Sequence, residues 1–321
     1  MTKAIPQRSP GQLEAVLRAG HFALTAETSP PDSGGPRPVL DRAGCLKGLA
    51  DAVNVTDGAG ARAHMSALAA AAVLARAGIE PVLQFTVRDR NRMALQGDLL
   101  GAAALGIPSI LCLHGDDAKK GDQPDTKPVY DIDSRELMRT ARRMRDEGSF
   151  PSGRAIDPRP GLLIGAADLP IDPKPGWKPE GLLAKIEAGA DFVQTQYAFD
   201  LAMLRRYLAA LDDHGILDRL YIIVGIGPLA SAKSARWMTE NLFGVHVPDS
   251  HIDRLDKAAD QRAEGRRICG ELLQELAEIK GVSGAHLMAP KQEQAIAEVI
   301  AESGMLDRRS RRESAKQAAR G

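Results

Sequence analysis

Polar side chains that could transfer protons or bind a ligand follow the short apolar runs of this sequence. Glu27 follows the first run, Asp168 the fifth and Gln196 the sixth. The second, third and fourth runs are followed by Thr56 and Asp57, by Gln84 to Asp89, and by His114 to Asp116. Carboxyl groups can act as general acids or bases, and amides can orient a polar ligand. Polar residues also follow strands because loops are solvated, so the pattern indicates a site only when all of these positions are considered together.

The elements that must position these side chains alternate between β-type runs and helical patterns. The candidate strands are 22–26, 52–55, 81–87, 109–113, 162–166, 192–196, 220–224 and 284–288. The helical patterns are 43–51, 64–77, 92–105, 134–147, 178–188, 200–212, 231–241 and 258–279. Eight such units predict an α/β fold, a closed (β/α)8 TIM barrel, more readily than an open sheet. In a barrel, the polar residues that follow the strands would converge on one mouth.

The domain organisation is expected to be simple. We predict one barrel domain over residues 1–305, with long loops at 115–133 and 149–160 that would form walls or lids on the active face. Residues 306–321 are basic and have no apolar face, which predicts a flexible tail.

Composition excludes several classes of function. Lys plus Arg number 42 and Asp plus Glu number 42, so there is no overall field to attract nucleic acid. No apolar run is long enough to span a membrane, and the N-terminus has no signal-peptide pattern. The three cysteines are far apart, which favours a reducing compartment, and we expect a cytoplasmic protein. The seven histidines lack metal-ligand spacing, so no metal site is expected.

Six segments taken together are more specific than any single residue. They are TAETSPP (25–31), NVTDGAG (54–60), QFTVRDRNRMALQGDLLGAAALGI (84–107), LHGDD (113–117), GADFVQTQYAFD (189–200) and GAHLMAP (284–290). In this order and spacing they resemble methylenetetrahydrofolate reductase over residues 21–290.

The resemblance implies a flavoprotein oxidoreductase of one-carbon metabolism. Members of that family are (β/α)8 barrels that hold a flavin, usually FAD, at the carboxyl ends of the strands. NADH or NADPH reduces the flavin, which then reduces 5,10-methylenetetrahydrofolate to 5-methyltetrahydrofolate for methionine biosynthesis. The same residues would serve the reverse direction, by microscopic reversibility. A homo-oligomer is expected at the level of the family.

The resemblance also implies roles for individual residues. Glu27 matches the general acid, Asp116 a catalytic aspartate near flavin and pterin, and Gln196 a glutamine that orients the folate. The positions that match flavin contacts are Thr56, Gln84, His114, Gly115, Asp116, Tyr130, Ala166 and Lys185.

The chemistry suits these residue types. Opening the methylene bridge requires a proton at N10, and Glu27 lies between an apolar strand and uncharged residues. The pterin edge presents N–H donors and a carbonyl, to which Asp116 and Gln196 are complementary. The simpler interpretations are that Glu27 is an exposed loop carboxylate, that Asp116 forms a turn and that the Gln196 amide caps the next helix.

Several positions depart from well-known bacterial members. His114 replaces an arginine, Gln84 replaces a histidine, Ala184 replaces an arginine, and no aromatic residue stands at 166–168. FMN, direct hydride transfer without flavin, and a non-catalytic folate-binding subunit therefore stay open as alternatives. Arg88, Asp89 and Arg92 are interpreted equally well as a phosphate clamp or as an ion-pair network.

Overall fold

The computed structural model describes residues 6–307 of the chain. Within these residues eight parallel strands close into a barrel in chain order, with β8 paired to β1. The strands are β1 (Ala23–Thr28), β2 (Ala52–Val55), β3 (Pro81–Thr86), β4 (Ser109–Leu113), β5 (Leu163–Asp168), β6 (Phe192–Tyr197), β7 (Tyr221–Ile226) and β8 (Val282–Leu287). The predicted (β/α)8 barrel is confirmed. Of the predicted flexible tail, residues 308–321 lie outside the described part.

Helices surround this barrel. They are α1 (Gln12–Arg18), α2 (Arg37–Ala43), α3 (Ala67–Arg76), α4 (Arg92–Ala104), α5 (Ser134–Asp146), α6 (Glu180–Ala188), α7 (Leu201–Asp213), α8 (Ala232–Asn241), α9 (Asp249–Lys257), α10 (Gln261–Leu276) and α11 (Glu293–Glu302). The helices predicted between 64 and 241 are each found within three residues of their expected ends. The predicted helix at 43–51 is wrong, because α2 ends at Ala43 and is followed by a single 3-10 turn. The pattern at 258–279 is the helix α10, which begins only after its cap Asp260.

Side chains alternate along each strand between the barrel interior and the layer under the helices. The apolar part of the interior is a compact cluster that includes residues from most strands. Its strand members are Ala23, Ala52, Val82, Leu111, Leu163, Phe192, Tyr221 and Ile223. Leu13 and Leu17 of α1 belong to the same cluster, so α1 closes the amino end of the barrel. The barrel is thus filled at one end by apolar side chains.

The two long loops lie at opposite ends of the barrel. Segment 115–133 follows β4 and belongs to the carboxyl end, as predicted for an active-face loop. Segment 149–160 follows α5 and precedes β5, so it lies at the amino end, where it lines a groove with Ile107 and Pro108 just before β4. The expectation that this second loop walls the active face is therefore wrong, since every loop that leaves a helix returns to the amino end.

An insertion follows β7. Helices α8 and α9 pack against each other, and α10 is the helix that packs on β7 and β8. The segment between α8 and α9 carries Phe243 to the rim of a cleft at the carboxyl end of the strands. In the part of the chain that the structure describes, no helix combines the length and apolar character needed to cross a membrane.

Candidate active site

A cleft of about 450 Å³ opens at the carboxyl ends of the strands, and we call it the mouth cleft. It is lined by Glu27, Gln84, Leu111, Leu113, Ala167, Asp168, Leu169, Lys185, Gln194, Thr195, Gln196, Phe243, His286 and Met288. The active sites of (β/α)8 barrels lie at this end. Among residues 6–307, no group of His, Cys, Asp or Glu has the arrangement of a metal site.

Glu27 faces into the mouth cleft. The sequence interpretation places it after the first strand, whereas β1 continues to Thr28 and Glu27 is its fifth residue. Glu27 Oε2 accepts a hydrogen bond from Gln84 Nε2 at 3.0 Å and lies 3.6 Å from His286 Nε2. The Glu27 side chain is 19% exposed. It is a carboxyl group with a defined orientation that a ligand in the cleft can still reach.

Gln84 and Gln196 also lie inside strands, as the predicted bounds 81–87 and 192–196 imply. Gln84, predicted to contact the flavin, belongs to β3 and holds the Glu27 carboxyl group. Gln196 belongs to β6, and its Oε1 accepts a hydrogen bond from Tyr197 N at 3.0 Å. It does not cap the next helix, because Asp200 caps α7. The structure therefore brings Glu27 and Gln196 together in one cleft.

A layer of buried polar side chains lies beneath Glu27. Asn54 and Gln194 exchange two hydrogen bonds, and Gln194 Nε2 also approaches Thr25 and His286. Sequence reasoning missed this layer and treated His286 as one of several scattered histidines. The available signal was strand alternation, since Thr25 stands two residues before Glu27 and therefore shares its face.

On the β5 side of the cleft, Lys185 is held by neighbouring groups. Its Nζ donates to the Ala167 carbonyl at 2.7 Å and lies 3.7 Å from Asp168 Oδ1. Tyr207 donates its hydroxyl hydrogen to Asp168 Oδ2 at 2.6 Å. Burial raises the pKa of Asp168, while Lys185 and Tyr207 act in the opposite direction. Ala166 is 1% exposed and packs under the helices, whereas Ala167 lines the cleft.

The remaining predicted residues form a second group, on the loops after β2 and β4. Thr56 Oγ1 donates to Ser29 Oγ at 3.0 Å. Asp116 is exposed, and its Oδ2 accepts a hydrogen bond from Gly60 N at 2.6 Å. The rings of His114 and Tyr130 stack with centroids 4.5 Å apart. None of these four residues lines the mouth cleft with Glu27.

Comparisons with known proteins fix the family. The methylenetetrahydrofolate reductase profile matches residues 12–304. The chain belongs to the methylenetetrahydrofolate reductase family. It is 27% identical over 244 residues to a probable methylenetetrahydrofolate reductase (NADPH) of Caenorhabditis elegans, which covers 74% of this chain and 34% of the relative. It is 27% identical over 266 residues to methylenetetrahydrofolate reductase 2 of Schizosaccharomyces pombe, and the match covers 78% of this chain and 40% of the relative. The chain thus spans well under half the length of these relatives.

Solved structures share the fold of this reductase-family chain at low sequence identity. One is an uncharacterized protein from Clostridium thermocellum that binds two copies of 5-methyl-5,6,7,8-tetrahydrofolic acid. It has a TM-score of 0.56 at 14% identity and covers 91% of this chain and 97% of that one. EDTA monooxygenase from Chelativorans sp. BNC1 has a TM-score of 0.52 at 10% identity, and the match covers 90% of this chain and 94% of that one.

The arginine-rich segment after β3 contacts the loops that carry the second group of predicted residues. Arg88 is buried, pairs with Asp89 at 2.7 Å, and donates to the carbonyls of Gly58 and Asp116. Arg92 pairs instead with Asp131. The ion-pair interpretation is therefore correct for Arg88 and Asp89 and wrong for the partner of Arg92. Because Arg88 donates hydrogen bonds to the loops after β2 and β4, it holds the second group of predicted residues in place.

Proposed function

We propose that this protein transfers a hydride between NAD(P)H and 5,10-methylenetetrahydrofolate to give 5-methyltetrahydrofolate, with Glu27 as the proton donor. The observation that carries the proposal is the Glu27 carboxyl group, oriented by Gln84 and His286 in the cleft that Gln196 also lines. The names of the two curated relatives and the folate ligand of the Clostridium protein support the same substrate class.

The role of Glu27 follows from the bond that must break. Opening the methylene bridge leaves an electron pair on N10, and a proton from Glu27 neutralises it as the carbon–nitrogen bond breaks. The N5-iminium group that results can accept a hydride at its carbon. Once Glu27 has given up its proton, its carboxylate is stabilised by the hydrogen bond that Gln84 Nε2 donates to Oε2.

Gln196 is proposed to orient the pterin. It lies on the same strand face as Gln194, two residues further along β6, and both side chains line the cleft. An amide offers both a donor and an acceptor to the pterin edge. Asp116, predicted to pair with Gln196, lies outside the cleft lining, so we propose that it acts from the loop after β4.

The loops after β2 and β4 fit a flat cofactor ring. The His114 and Tyr130 rings stack with centroids 4.5 Å apart, and His114 is exposed, so its ring can be reached by a ligand. We propose that Thr56, His114, Gly115 and Tyr130 hold FAD there, and that Lys185 contacts it from the β5 side of the mouth cleft. When bound, FAD would take a hydride from NAD(P)H and supply it to the folate.

Direct transfer from NAD(P)H to the folate is the second candidate, and a specific observation favours it. Among the described residues that line the mouth cleft, Lys185 is the one lysine or arginine, and Asp168 already pairs with it. The imidazole ring of His114 stands where the family resemblance places a guanidinium. A flavin diphosphate would therefore find little unpaired positive charge at these positions.

The deciding experiment is an absorption spectrum of the purified protein, before and after FAD, followed by anaerobic NADH or NADPH and then methylenetetrahydrofolate. Flavin bands that bleach with the nicotinamide and recover with the folate support the flavin-mediated reaction. A protein that takes up no FAD and still oxidises NADH or NADPH with folate supports direct transfer. Folate binding without any turnover would contradict both and indicate a binding subunit.

A further inference from the structure

Strand β6 contains one extra residue where it reaches the mouth cleft. Between Gln194 and Tyr197 it advances three residues, while its partner β7 advances two, from Ile223 to Gly225. Such a β-bulge bends a strand and re-aims its side chains, and bulges are frequent next to active sites. Accordingly, the three successive residues 194–196 line the mouth cleft, whereas a regular strand would present only alternate residues.

The Thr195 hydroxyl supplies the hydrogen-bond acceptor for β7 at this bulge. Gly225 N donates to Thr195 Oγ1 at 2.9 Å, and Thr195 Oγ1 donates to the Gln196 carbonyl at 2.8 Å. These roles are unambiguous, because a backbone N–H can only donate and a carbonyl can only accept. Thr195 is 3% exposed, so bulk water does not compete for either hydrogen bond. The hydroxyl therefore links β7 to the backbone of Gln196.

The close approach of the two strands at the bulge requires glycine at position 225. A Cβ there would collide with the carbonyl oxygen of Thr195 and lie 2.9 Å from the carbonyl carbon of Gln196. Beyond the bulge, Ala198 N donates to Gly225 O at 2.8 Å, so the pairing of the strands continues. The backbone of β6 is therefore held against β7 on both sides of Gln196.

The Gln196 side chain is oriented by a backbone group. Its Oε1 accepts a hydrogen bond from Tyr197 N at 3.0 Å, and since an N–H can only donate, the amide oxygen must lie on this side. Within the described residues the amide nitrogen has no hydrogen-bond acceptor. Both of its hydrogens can therefore be donated to a ligand in the mouth cleft, which Gln196 lines.

We propose that Thr195 is a positioning residue, whose hydroxyl holds the β6 bulge and so places the Gln196 amide to donate to the pterin. The group of the pterin edge that faces Gln196 is then an acceptor, such as the ring carbonyl. Thr195 acts through Gln196 rather than on the reacting atoms. This inference rests on the proposed function, in which Gln196 orients the pterin.

A second bulge, in β8, provides a matched control. From Ile222 to Ile223 strand β7 advances one residue, while β8 advances two. At this bulge Ser283 Oγ accepts a hydrogen bond from Ile222 N at 3.2 Å, as Thr195 does from Gly225. Ser283 is the second residue of β8, towards the amino end, and does not line the mouth cleft. Ser283→Ala therefore removes the same kind of hydrogen bond away from Gln196.

The hydrogen bond to Thr195 can be measured without any turnover. Val224–Gly225 is the only Val–Gly step in the sequence, so ¹³C-carbonyl valine with ¹⁵N-glycine selects the Gly225 amide in the full-length protein. Thr195→Val removes the acceptor and keeps the side-chain shape. We expect the Gly225 amide proton signal to move upfield and to exchange about threefold to tenfold faster, the equivalent of one hydrogen bond.

The other variants define what this measurement means. Thr195→Ser keeps the hydroxyl, and Ser283→Ala leaves Thr195 intact, so both should retain the wild-type Gly225 signal. Thr195→Ala provides the second variant if Thr195→Val does not fold. A Gly225 signal that is unchanged when the Thr195 hydroxyl is removed overturns the proposal.

Folate binding gives the second readout. We expect Thr195→Val to raise the Kd for 5-methyltetrahydrofolate by about tenfold to a hundredfold, since a binding group displaced by about 1 Å can cost that much. Thr195→Ser and Ser283→Ala should stay within about twofold of wild type. Equal losses in Thr195→Ser and Thr195→Val would assign the effect to the Thr195 methyl group and overturn the proposal.

A double-mutant cycle tests whether Thr195 acts through Gln196. In the Gln196→Ala background, Thr195→Val should change the Kd by less than about twofold, because no amide is left to place. A residue that only supports the fold of β6 would cost the same in both backgrounds. Equal effects of Thr195→Val in the two backgrounds therefore overturn the proposal.

These measurements separate this inference from the proposed function. If wild-type protein turns over folate and Thr195→Val does so equally well, the positioning role is overturned and the proposed function stays in place. If wild-type protein neither binds nor converts the folate, the proposed function is overturned and the role of Thr195 with it, even where the Gly225 signal responds as expected.

Discussion

The amino and carboxyl halves of the barrel interior differ in chemistry although the same strands form both. In β1, the buried Ala23 is followed two residues later by Thr25 and four residues later by Glu27. In β6, Phe192 is followed in the same way by Gln194 and Gln196. Residues two apart share a face of a strand, so both β1 and β6 change from apolar to polar towards the mouth.

The residues that stabilise the fold and the residues proposed to act on a substrate therefore lie only a few positions apart on the same strands. The apolar half stabilises the barrel by removing hydrocarbon from water. The polar half gains little from burial and is tolerated because its members satisfy one another's hydrogen bonds. Substitutions in the two halves should therefore have different consequences, one for unfolding and the other for turnover.

The largest expected effect is on turnover, at Glu27. Glu27→Gln keeps the shape of the side chain and removes the acid, so folate turnover should fall by about 10² to 10⁴. The free energy of unfolding in urea should change by less than about 0.5 kcal/mol, as for other changes outside packed cores.

Glu293→Gln is the matched control for this prediction. Glu293 is a buried carboxyl group that accepts a hydrogen bond from Thr28, the residue next to Glu27, on the opposite face of β1. Its change to Gln retains an acceptor for Thr28, and Glu293 does not line the mouth cleft. Folate turnover should therefore stay within a factor of about two, which corresponds to less than about 0.5 kcal/mol. Equal losses in the two variants would show that Glu27 acts through the structure of β1 rather than through its proton.

The second effect is on stability, at Phe192. Its ring is fully buried and packs against Gly165, where a Cβ would collide with it. Phe192→Ala should lower the free energy of unfolding by about 3–5 kcal/mol, because the cavity cannot close completely. Turnover per folded molecule should be retained. Phe192→Leu should cost less, and a loss below about 1 kcal/mol for Phe192→Ala would contradict the role of the apolar half.

The sequence predicts the barrel and most of its mouth because strand alternation and the order of elements are local properties. The predicted end of β1 was two residues short and left Glu27 outside the strand, whereas the predicted strands 81–87 and 192–196 already contain Gln84 and Gln196. Glu27 was therefore interpreted as the start of a loop. A barrel interior can hold polar side chains inside a strand, provided that neighbouring strands supply their hydrogen-bond partners.

The polar layer could not be predicted in the same way. Asn54 and Gln194 are 140 residues apart, and their pairing depends on closure of the barrel. The helix α2 was missed for a local reason. It begins next to Pro36 in a segment rich in proline and glycine, for which no helix was predicted although proline is compatible with a first helical turn.

The smallest expected effect is at the rim, where Phe243 is 86% exposed and still lines the mouth cleft. A ring in this place can stack on the flat rings of a bound folate. Phe243→Ala should therefore raise the KM for folate by about twofold to tenfold, the equivalent of one aromatic contact, with kcat and the free energy of unfolding unchanged. Met93→Ala, at a residue that is 78% exposed on α4 and outside the cleft lining, should leave the KM unchanged. If the two variants have the same KM, the substrate-binding surface ends at the polar half of the barrel interior and excludes the insertion after β7.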